Sequence, residues 1–210
     1  MVARPKSSPP RESNSREQLL RTAIHFFSAR GFEGASVNDI VTHAGMSKRM
    51  VYHYFQSKAL LYQEALYFAF SELAKMENEA VAQAKGLEGA VLNLIQVYFE
   101  FPRKHPEFSR LLRWENLNNG EGIKDSQFPL SKDHVIKFLK SAIKQEADGQ
   151  CWRADLEANQ LLITIIGICQ VYVSHRYTLS QGLNRNLGSP ASITRGIANA
   201  QHYLLAGMRR

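Results

Sequence analysis

The sequence has few of the features that mark secreted, membrane-spanning or disulfide-rich proteins. It holds only two cysteines in 210 residues, Cys151 and Cys169, which is typical of a reducing compartment. Its longest apolar run, residues 161–173, contains polar side chains and is shorter than the ~20 residues that a membrane helix needs. No apolar segment follows the first basic residues, so we expect no secretory signal. These absences favour a cytoplasmic protein that does not enter a membrane.

Signals of catalysis are also missing. The chain has no Gly-rich phosphate loop and no cluster of residues at metal-ligand spacing. Neither cysteine has a convincing histidine partner in the sequence, and His53 has no companion for a zinc site. We therefore expect no enzyme activity, no metal and no cofactor.

The positive charge is concentrated in the first part of the chain. The formal net charge is +7, and residues 1–60 hold nine Lys and Arg against four Asp and Glu. A basic module is the electrostatic footprint of nucleic-acid binding, although a solvated basic arm would give the same excess. Residues 1–14, rich in proline and serine, are expected to be a disordered arm. A frayed terminus is favoured there over an arm that enters a DNA minor groove.

Residues 36–55 predict two short helices joined by a tight turn. Ser36 is a candidate N-cap with Asp39 as its capping-box partner, and Ser47 is a candidate cap for the second helix. Gly45 suits the left-handed end of the first helix. Two short helices with a small-residue turn between them are typical of a helix-turn-helix, whose second helix enters the major groove of DNA.

The second of these helices has one apolar and one outward face. Val51 and Phe55 are spaced i, i+4 and are expected to be buried. Lys48 and Arg49 lie outward at its start. Because the basic charge coincides with the motif, DNA binding is favoured over a merely solvated face.

Sequence blocks between residues 16 and 66 follow one another in a recognisable order. An amphipathic helix ends in FFSARGF and is followed by SVNDI, AGMS, VYHYF and SKALL. In this order they resemble the N-terminal domain of the TetR family of bacterial transcriptional regulators. The resemblance implies an all-α homodimer of about nine helices. It places a helix-turn-helix DNA-binding domain at residues 15–58, with a long helix leading into an effector-binding and dimerisation domain at residues 59–210.

The resemblance also implies roles in binding double-stranded DNA. Base contacts are implied for Asn38, Lys48, Arg49, Met50 and Tyr52. Phosphate contacts are implied for Ser36, Ser47, His53, Tyr54 and Lys58. Arg49 is the preferred candidate for reading sequence, because a guanidinium pairs with O6 and N7 of guanine. For Tyr52 and Tyr54, packing inside the head is an open alternative.

Lys58 stands out by its position in the first turn of the fourth helix. A cation is unfavourable there against the helix dipole. A phosphate docked at this helix N-terminus would explain the placement, because backbone N–H groups and the ammonium would converge on it.

The helical period continues to the end of the chain. One long helix is expected from Asp155 past Leu179, and a last one from Ala191 to Met208. The first of these is apolar on two sides, so we expect a second copy of the chain to cover one of them. The expected dimer contacts are Ile165, Val173, Ile193, Ile197 and Leu204.

A small-molecule effector is implied by the resemblance alone. Its candidate pocket residues are Tyr98, Phe99, Trp114, Glu115, Phe138, Gln170, Tyr172 and His175. Core packing is the alternative for the aromatic members. Glu115 is an acid on an otherwise apolar stripe, which indicates either an effector anchor or, as the favoured alternative, a structural ion pair with an Arg or His.

These features together predict a homodimeric repressor that a small molecule releases from a palindromic operator. The alternative is a DNA-binding interaction protein on the same fold, with a protein partner and no effector. An enclosed pocket with convergent polar groups would favour the first of these two functions.

Overall fold

The computed structural model describes residues 10–124, 126–128, 130–146 and 151–210, with side chains from residue 14 onward. These residues form an all-α fold. Its ten helices are α1 (Pro10–Gly34), α2 (Val37–Ala44), α3 (Lys48–Phe55), α4 (Lys58–Ala82), α5 (Gly86–Lys104), α6 (Pro106–Leu117), α7 (Asp133–Glu146), α8 (Ala158–Ser174), α9 (Arg176–Gly182) and α10 (Pro190–Met208). No strand forms among the described residues, where one isolated antiparallel bridge joins Trp152 and Arg209.

The first helix begins earlier than the sequence pattern predicts. α1 starts at Pro10, inside the segment predicted to be a disordered arm, because a proline fits the first turn of a helix, where its missing N–H has no partner to lose. The predicted disordered arm is therefore wrong for residues 10–14, and its remainder, residues 1–9, lies outside the described residues. Helical geometry is interrupted at Gly31, with φ 70° and ψ −178°, which is the predicted end of the helix.

The single long helix predicted from Asp155 past Leu179 is two helices in the structure. α8 ends at Ser174 and α9 begins at Arg176. The hydroxyl of Ser174 donates to the carbonyl of Gln170 at 2.8 Å, a local bond that competes with the helical backbone ladder. This break accounts for ten helices where about nine were predicted.

The chain divides into two compact units. The first contains the residues up to Phe70 together with Glu107–Leu130, and the second contains Ser71–Pro106 and Ser131–Arg210. The predicted boundary between residues 58 and 59 does not match this division. The reason is that α4 and α6 both pack against α1 within the first unit. The rings of Phe27 and Tyr62 lie 4.9 Å apart between centroids, and the indole of Trp114 donates to the carbonyl of Ser28 at 3.1 Å.

An apolar core holds the helix-turn-helix in place within the first unit. Its fully buried side chains include Leu19, Ile24, Phe27, Ile40, Val51, Phe55, Leu61 and Leu66. Phe27 meets Tyr62 edge-on, with ring centroids 4.9 Å apart. Each large apolar side chain contributes about 1.5–3 kcal/mol when fully buried, so this core fixes the orientation of α3.

In the second unit α5 packs against α7, α8 and α10. Leu94, Ile95, Ile165 and Cys169 are buried at these contacts. The carboxylate of Glu146, at the end of α7, accepts hydrogen bonds from the backbone N–H of Leu87 and from the indole of Trp152, both at 2.7 Å. Among the described helices, none is long and apolar enough to cross a membrane.

Candidate nucleic-acid interface

The start of α2 is fixed by its cap and by an ion pair with α1. The hydroxyl of Ser36 accepts a hydrogen bond from the backbone N–H of Asp39 at 3.0 Å, which confirms the predicted N-cap. The Asp39 carboxylate pairs with Arg30 at 2.8 Å, so an ion pair between α1 and α2 takes the place of the predicted capping box. Asn38, a predicted base contact, is exposed beside this cap.

The turn into α3 has the predicted left-handed glycine. Gly45 has φ 66° and ψ 32°, and its N–H reaches the carbonyls of Val41 and Thr42. Ser47 has the extended backbone of an N-cap, but its side chain makes no capping hydrogen bond. The predicted capping hydrogen bond is therefore not formed, and Ser47 is exposed at the start of α3.

The side of α3 opposite its buried residues is exposed to solvent, beginning at the first residues of the helix. Val51 and Phe55 are buried in the first unit, as predicted. Lys48 and Arg49 are exposed, and 48% of Tyr52 is exposed. Core packing is therefore not the role of Tyr52.

The remaining candidates on α3 lie at the edge of that face. Met50 and Tyr54 are half-buried and His53 is exposed. The rings of His53 and Tyr54 lie 5.0 Å apart between centroids. Tyr54 therefore combines partial packing with partial exposure, as is common for this amphipathic side chain.

The cations of the first unit differ in whether they are paired. Three arginines of α1 form ion pairs: Arg16 with Glu64, Arg21 with Glu17, and Arg30 with Asp39. No ion pair is recorded for Lys48 or Arg49 with any described residue. Among the described residues, therefore, no acidic side chain pairs with them, which suits cations that meet the phosphates and bases of DNA.

Lys58 has a partner inside the chain. Its ammonium lies 4.4 Å from the centroid of the Phe32 ring, a cation–π contact. Ser57 caps α4, because its hydroxyl accepts the N–H of Leu60 at 3.1 Å. Phe32 thus gives a second explanation for a lysine in this first turn, besides a docked phosphate.

Two of the predicted effector residues belong to the first unit. Glu115 is buried, and it accepts hydrogen bonds from the hydroxyl of Tyr62 at 2.8 Å and from the backbone N–H groups of Gly122 and Ile123 at 2.6 and 3.1 Å. Burial, followed by the hydrogen bond to Glu115 and its charge, raises the pKa of Tyr62 well above its usual range. The predicted Arg or His partner is wrong, because neutral donors satisfy this carboxylate.

Trp114 packs against the end of α1. Its indole N–H donates to the backbone carbonyl of Ser28 at 3.1 Å. A Cβ added to Gly31 would lie 3.0 Å from Cε3 of this indole, so the absence of a side chain at Gly31 allows the close approach.

The other predicted effector residues lie in the second unit. Tyr98 and Phe99 are buried, and the Phe99 ring lies 5.1 Å from that of Tyr172. Phe138 and Gln170 are half-buried. His175 is exposed and follows the last residue of α8.

The sequence analysis missed a buried polar cluster in the second unit. The carboxylate of Glu77 is buried and accepts from the hydroxyl of Tyr98 at 2.6 Å and from the ammonium of Lys132 at 2.6 and 2.7 Å. Burial and the nearby charge of Glu77 raise the pKa of Tyr98 far above its usual range. The sequence does contain a pattern that indicates this buried acid, because Glu77 lies four residues from both Leu73 and Val81 on the apolar face of α4.

The predicted dimer residues divide between the core and the surface of the second unit. Ile165 and Leu204 are buried within the chain itself, so they are wrong as interface residues, whereas Val173, Ile193 and Ile197 are half-buried. The exposed apolar side chains on these helices are Ile163, Val171 and Tyr203, with 60%, 40% and 68% of their surface exposed. The periodicity of α8 indicated two apolar faces but did not indicate which one the chain covers.

Two family models match the chain. Residues 19–65 match the bacterial regulatory proteins of the tetR family. Residues 88–201 match the tetracyclin repressor-like C-terminal domain.

Individual relatives match over nearly the whole chain. The transcriptional repressor NicS of Pseudomonas putida is 27% identical over 197 residues, which cover 93% of each chain. The transcriptional regulator RutR of Escherichia coli is 25% identical over 211 residues, covering 94% of this chain and 92% of RutR. The crystal structure of a TetR transcriptional regulator from Chloroflexus aurantiacus superposes with a TM-score of 0.70 and 16% identity, over 96% of this chain and 99% of that one.

Proposed function

Because this chain belongs to the TetR family of DNA-binding transcriptional regulators, we propose that it is a homodimeric cytoplasmic repressor of a palindromic operator and that a small-molecule effector releases it. NicS, a relative over the same length, is a transcriptional repressor, which supports repression as the direction of control. The observation that carries the proposal is the outer face of α3, where Lys48 and Arg49 are exposed and make no recorded ion pair with described residues.

In the proposed complex the first turn of α3 reads bases in the major groove. Arg49 binds the O6 and N7 atoms of a guanine, a contact worth about 1–3 kcal/mol of discrimination. Lys48 acts beside it, Met50 offers apolar contact to a thymine methyl group, and Tyr52 and Asn38 reach neighbouring positions. The core beneath Val51 and Phe55 holds these side chains in fixed directions.

The proposed phosphate contacts surround this reading face. Ser36, Ser47, His53, Tyr54 and Lys58 are assigned to the DNA backbone, where they set register and add affinity without reading sequence. The exposure of Ser47 supports this assignment, because its hydroxyl makes no capping bond.

Homodimerisation is proposed through α8 and α10, which pack together in the second unit. Ile163, Gly167 and Val171 follow one another at intervals of four residues, so they lie on one face of α8. A Cβ added at Gly167 would meet no atom within 4 Å, so a second helix is able to approach closely there. Two heads held about 34 Å apart match successive major grooves of a two-fold symmetric operator.

The effector is proposed to bind in the second unit, beside the cluster of Glu77, Tyr98 and Lys132. A buried ion pair contributes little net stability, because desolvation of its charges offsets their attraction. Glu77 is buried, whereas the side chain of its partner Lys132 is 26% exposed, which supports a role in recognising a polar group that reaches Lys132 from the surface. An effector that competes for Lys132 or Glu77 would shift the equilibrium between DNA-binding and released states.

Selection of DNA fragments by the full-length protein, followed by affinity measurements on the enriched site, tests the proposal. We expect a symmetric site and a loss of about 1–3 kcal/mol in specific affinity for Arg49→Ala, with relaxed preference at one base pair of each half-site. Arg185→Ala, a change of an exposed arginine in the second unit, is the matched control and should bind as the wild type does. An unchanged preference in Arg49→Ala would remove Arg49 from base readout.

A further inference from the structure

A cavity of about 160 Å³ in the first unit is lined by three aromatic side chains. Phe32, Tyr62 and Trp114 form its walls, and Arg30 and Glu33 are also among its lining residues. None of these residues belongs to the second unit, so the cavity is built from different residues than the proposed effector site.

The aromatic walls are fixed by contacts inside the same unit. The hydroxyl of Tyr62 donates to Glu115 at 2.8 Å, and the indole of Trp114 donates to the carbonyl of Ser28 at 3.1 Å. The rings of Phe32 and Tyr62 lie 5.1 Å apart between centroids. The conformational entropy lost by these side chains on ligand binding is therefore small.

The charges around the cavity favour a cation. Arg30 is neutralised by Asp39 at 2.8 Å, whereas Glu33 is exposed and makes no recorded ion pair within the described part of the chain. The faces of aromatic rings carry negative potential. The hydrogen bond from Tyr62 to the carboxylate of Glu115 adds electron density to one of these rings.

One aromatic ring of the cavity already accepts a cation. The ammonium of Lys58 lies 4.4 Å from the centroid of Phe32, although Lys58 is not a lining residue. Its charge opposes a second cation near Phe32. The ring of Trp114, which is 38% exposed, is therefore the main face open to a ligand, while Tyr62, only 2% exposed, closes the cavity and Glu33 supplies the negative charge.

We propose that this cavity binds a small organic cation with a methylated ammonium group. Such groups are recognised by aromatic cages, because a delocalised cation with a low hydration cost gains from several ring faces at once. The bound cation would contact both Trp114 on α6 and the segment at Gly31–Glu33 that leads into α2.

Choline and its neutral carbon isostere 3,3-dimethylbutan-1-ol are the probes for a test by calorimetric titration of the full-length protein. We expect saturable binding of choline that is roughly tenfold tighter than binding of the isostere, since the two differ in charge and not in shape. Equal binding of both probes, or no saturation by choline, would overturn the proposal of a cation site.

Three variants locate the binding. Trp114→Leu should abolish choline binding. Glu33→Gln, which changes an exposed side chain and does not threaten the fold, should weaken it by about two- to fivefold. Trp152→Phe alters the other tryptophan of the chain, in the second unit, and should bind choline as the wild type does. Unchanged affinity in both Trp114→Leu and Glu33→Gln would place the choline elsewhere and refute the site.

Discussion

At the start of α4 the Lys58 ammonium has two competing partners, the Phe32 ring within the chain and the proposed DNA phosphate. If it meets the phosphate, Lys58→Ala should weaken binding to all DNA sequences and reduce the slope of log affinity against log salt by about one. Filter binding at several salt concentrations measures both effects. A slope that stays at the wild-type value would assign Lys58 to packing against Phe32 alone.

Three buried groups predict how the stability of the protein depends on alkaline pH. Burial raises the pKa of the Cys169 thiol from 9.0 to about 12, and the pKa values of Tyr62 and Tyr98 are raised above the ordinary 10.0. Each group then keeps its proton in the folded state after the unfolded chain has lost it. The unfolding free energy should therefore fall as pH rises above 9, by up to about 1.4 kcal/mol per pH unit for each group.

Urea unfolding between pH 8 and 11 measures this fall. Tyr62→Phe should flatten the decline above pH 10, because one raised pKa is removed. Tyr177→Phe, which changes a tyrosine that is exposed, serves as the control and should leave the slope unchanged. A decline equally steep in Tyr62→Phe and in the wild type would contradict the link to Tyr62.

The hydrogen-bond partners of Glu115 depend on contacts that are distant in the sequence. Glu115 was recognisable as an acid on an apolar stripe, but its partners could not be deduced. Two of them are backbone N–H groups of the loop after α6 and the third is Tyr62 on α4. Partners separated by 53 residues become visible only when the helices are packed.

At the scale of elements, two glycines with positive φ allow a matched comparison. Gly45 lies in the left-handed helical region, with φ 66° and ψ 32°, where an alanine is strained by about 1–2 kcal/mol. Gly31, with φ 70° and ψ −178°, lies in a region that essentially only glycine adopts, so an alanine there is strained more. At Gly31 the new methyl group would also press on Trp114, whereas at Gly45 it meets no atom within 4 Å. We expect Gly31→Ala to cost at least ~1 kcal/mol more than Gly45→Ala.

Chemical unfolding of the two variants, followed by tryptophan fluorescence and circular dichroism, makes this comparison. Equal costs would mean that both the backbone at Gly31 and Trp114 adjust to the added methyl group without penalty.

For the whole molecule, the exposed face of α8 predicts which substitutions weaken the proposed dimer. Ile163→Glu or Val171→Glu would bury an unpaired carboxylate in the proposed interface, which should raise the dimer dissociation constant by roughly a hundredfold or more. Analytical ultracentrifugation at micromolar concentration should then show monomers, and operator affinity should fall with the loss of the second head.

Ile165→Val is the control for this experiment, because Ile165 is buried within the chain. It should cost about 0.5–1.5 kcal/mol of stability and leave the dimer intact. Dimers that persist in Ile163→Glu and Val171→Glu would show that another surface joins the two copies.

The helix-turn-helix was determined by the sequence alone, because its signals are local. The cap at Ser36, the left-handed Gly45 and the i, i+4 pair of Val51 and Phe55 each act over a few residues, and all three occur as predicted. The all-α class followed from helical periodicity in the same way.

Tertiary structure alone decided which residues share a unit and which faces stay open. It joined α6 to the DNA-binding unit, paired Glu77 with Tyr98 and Lys132, and turned Ile165 inward while Ile163 stayed exposed. Periodicity shows that a helix has an apolar face, but the neighbour that covers it is chosen by packing between residues far apart in the chain. The type of protein was therefore readable from short-range patterns, whereas its ligand cavity and its open surfaces depended on long-range contacts.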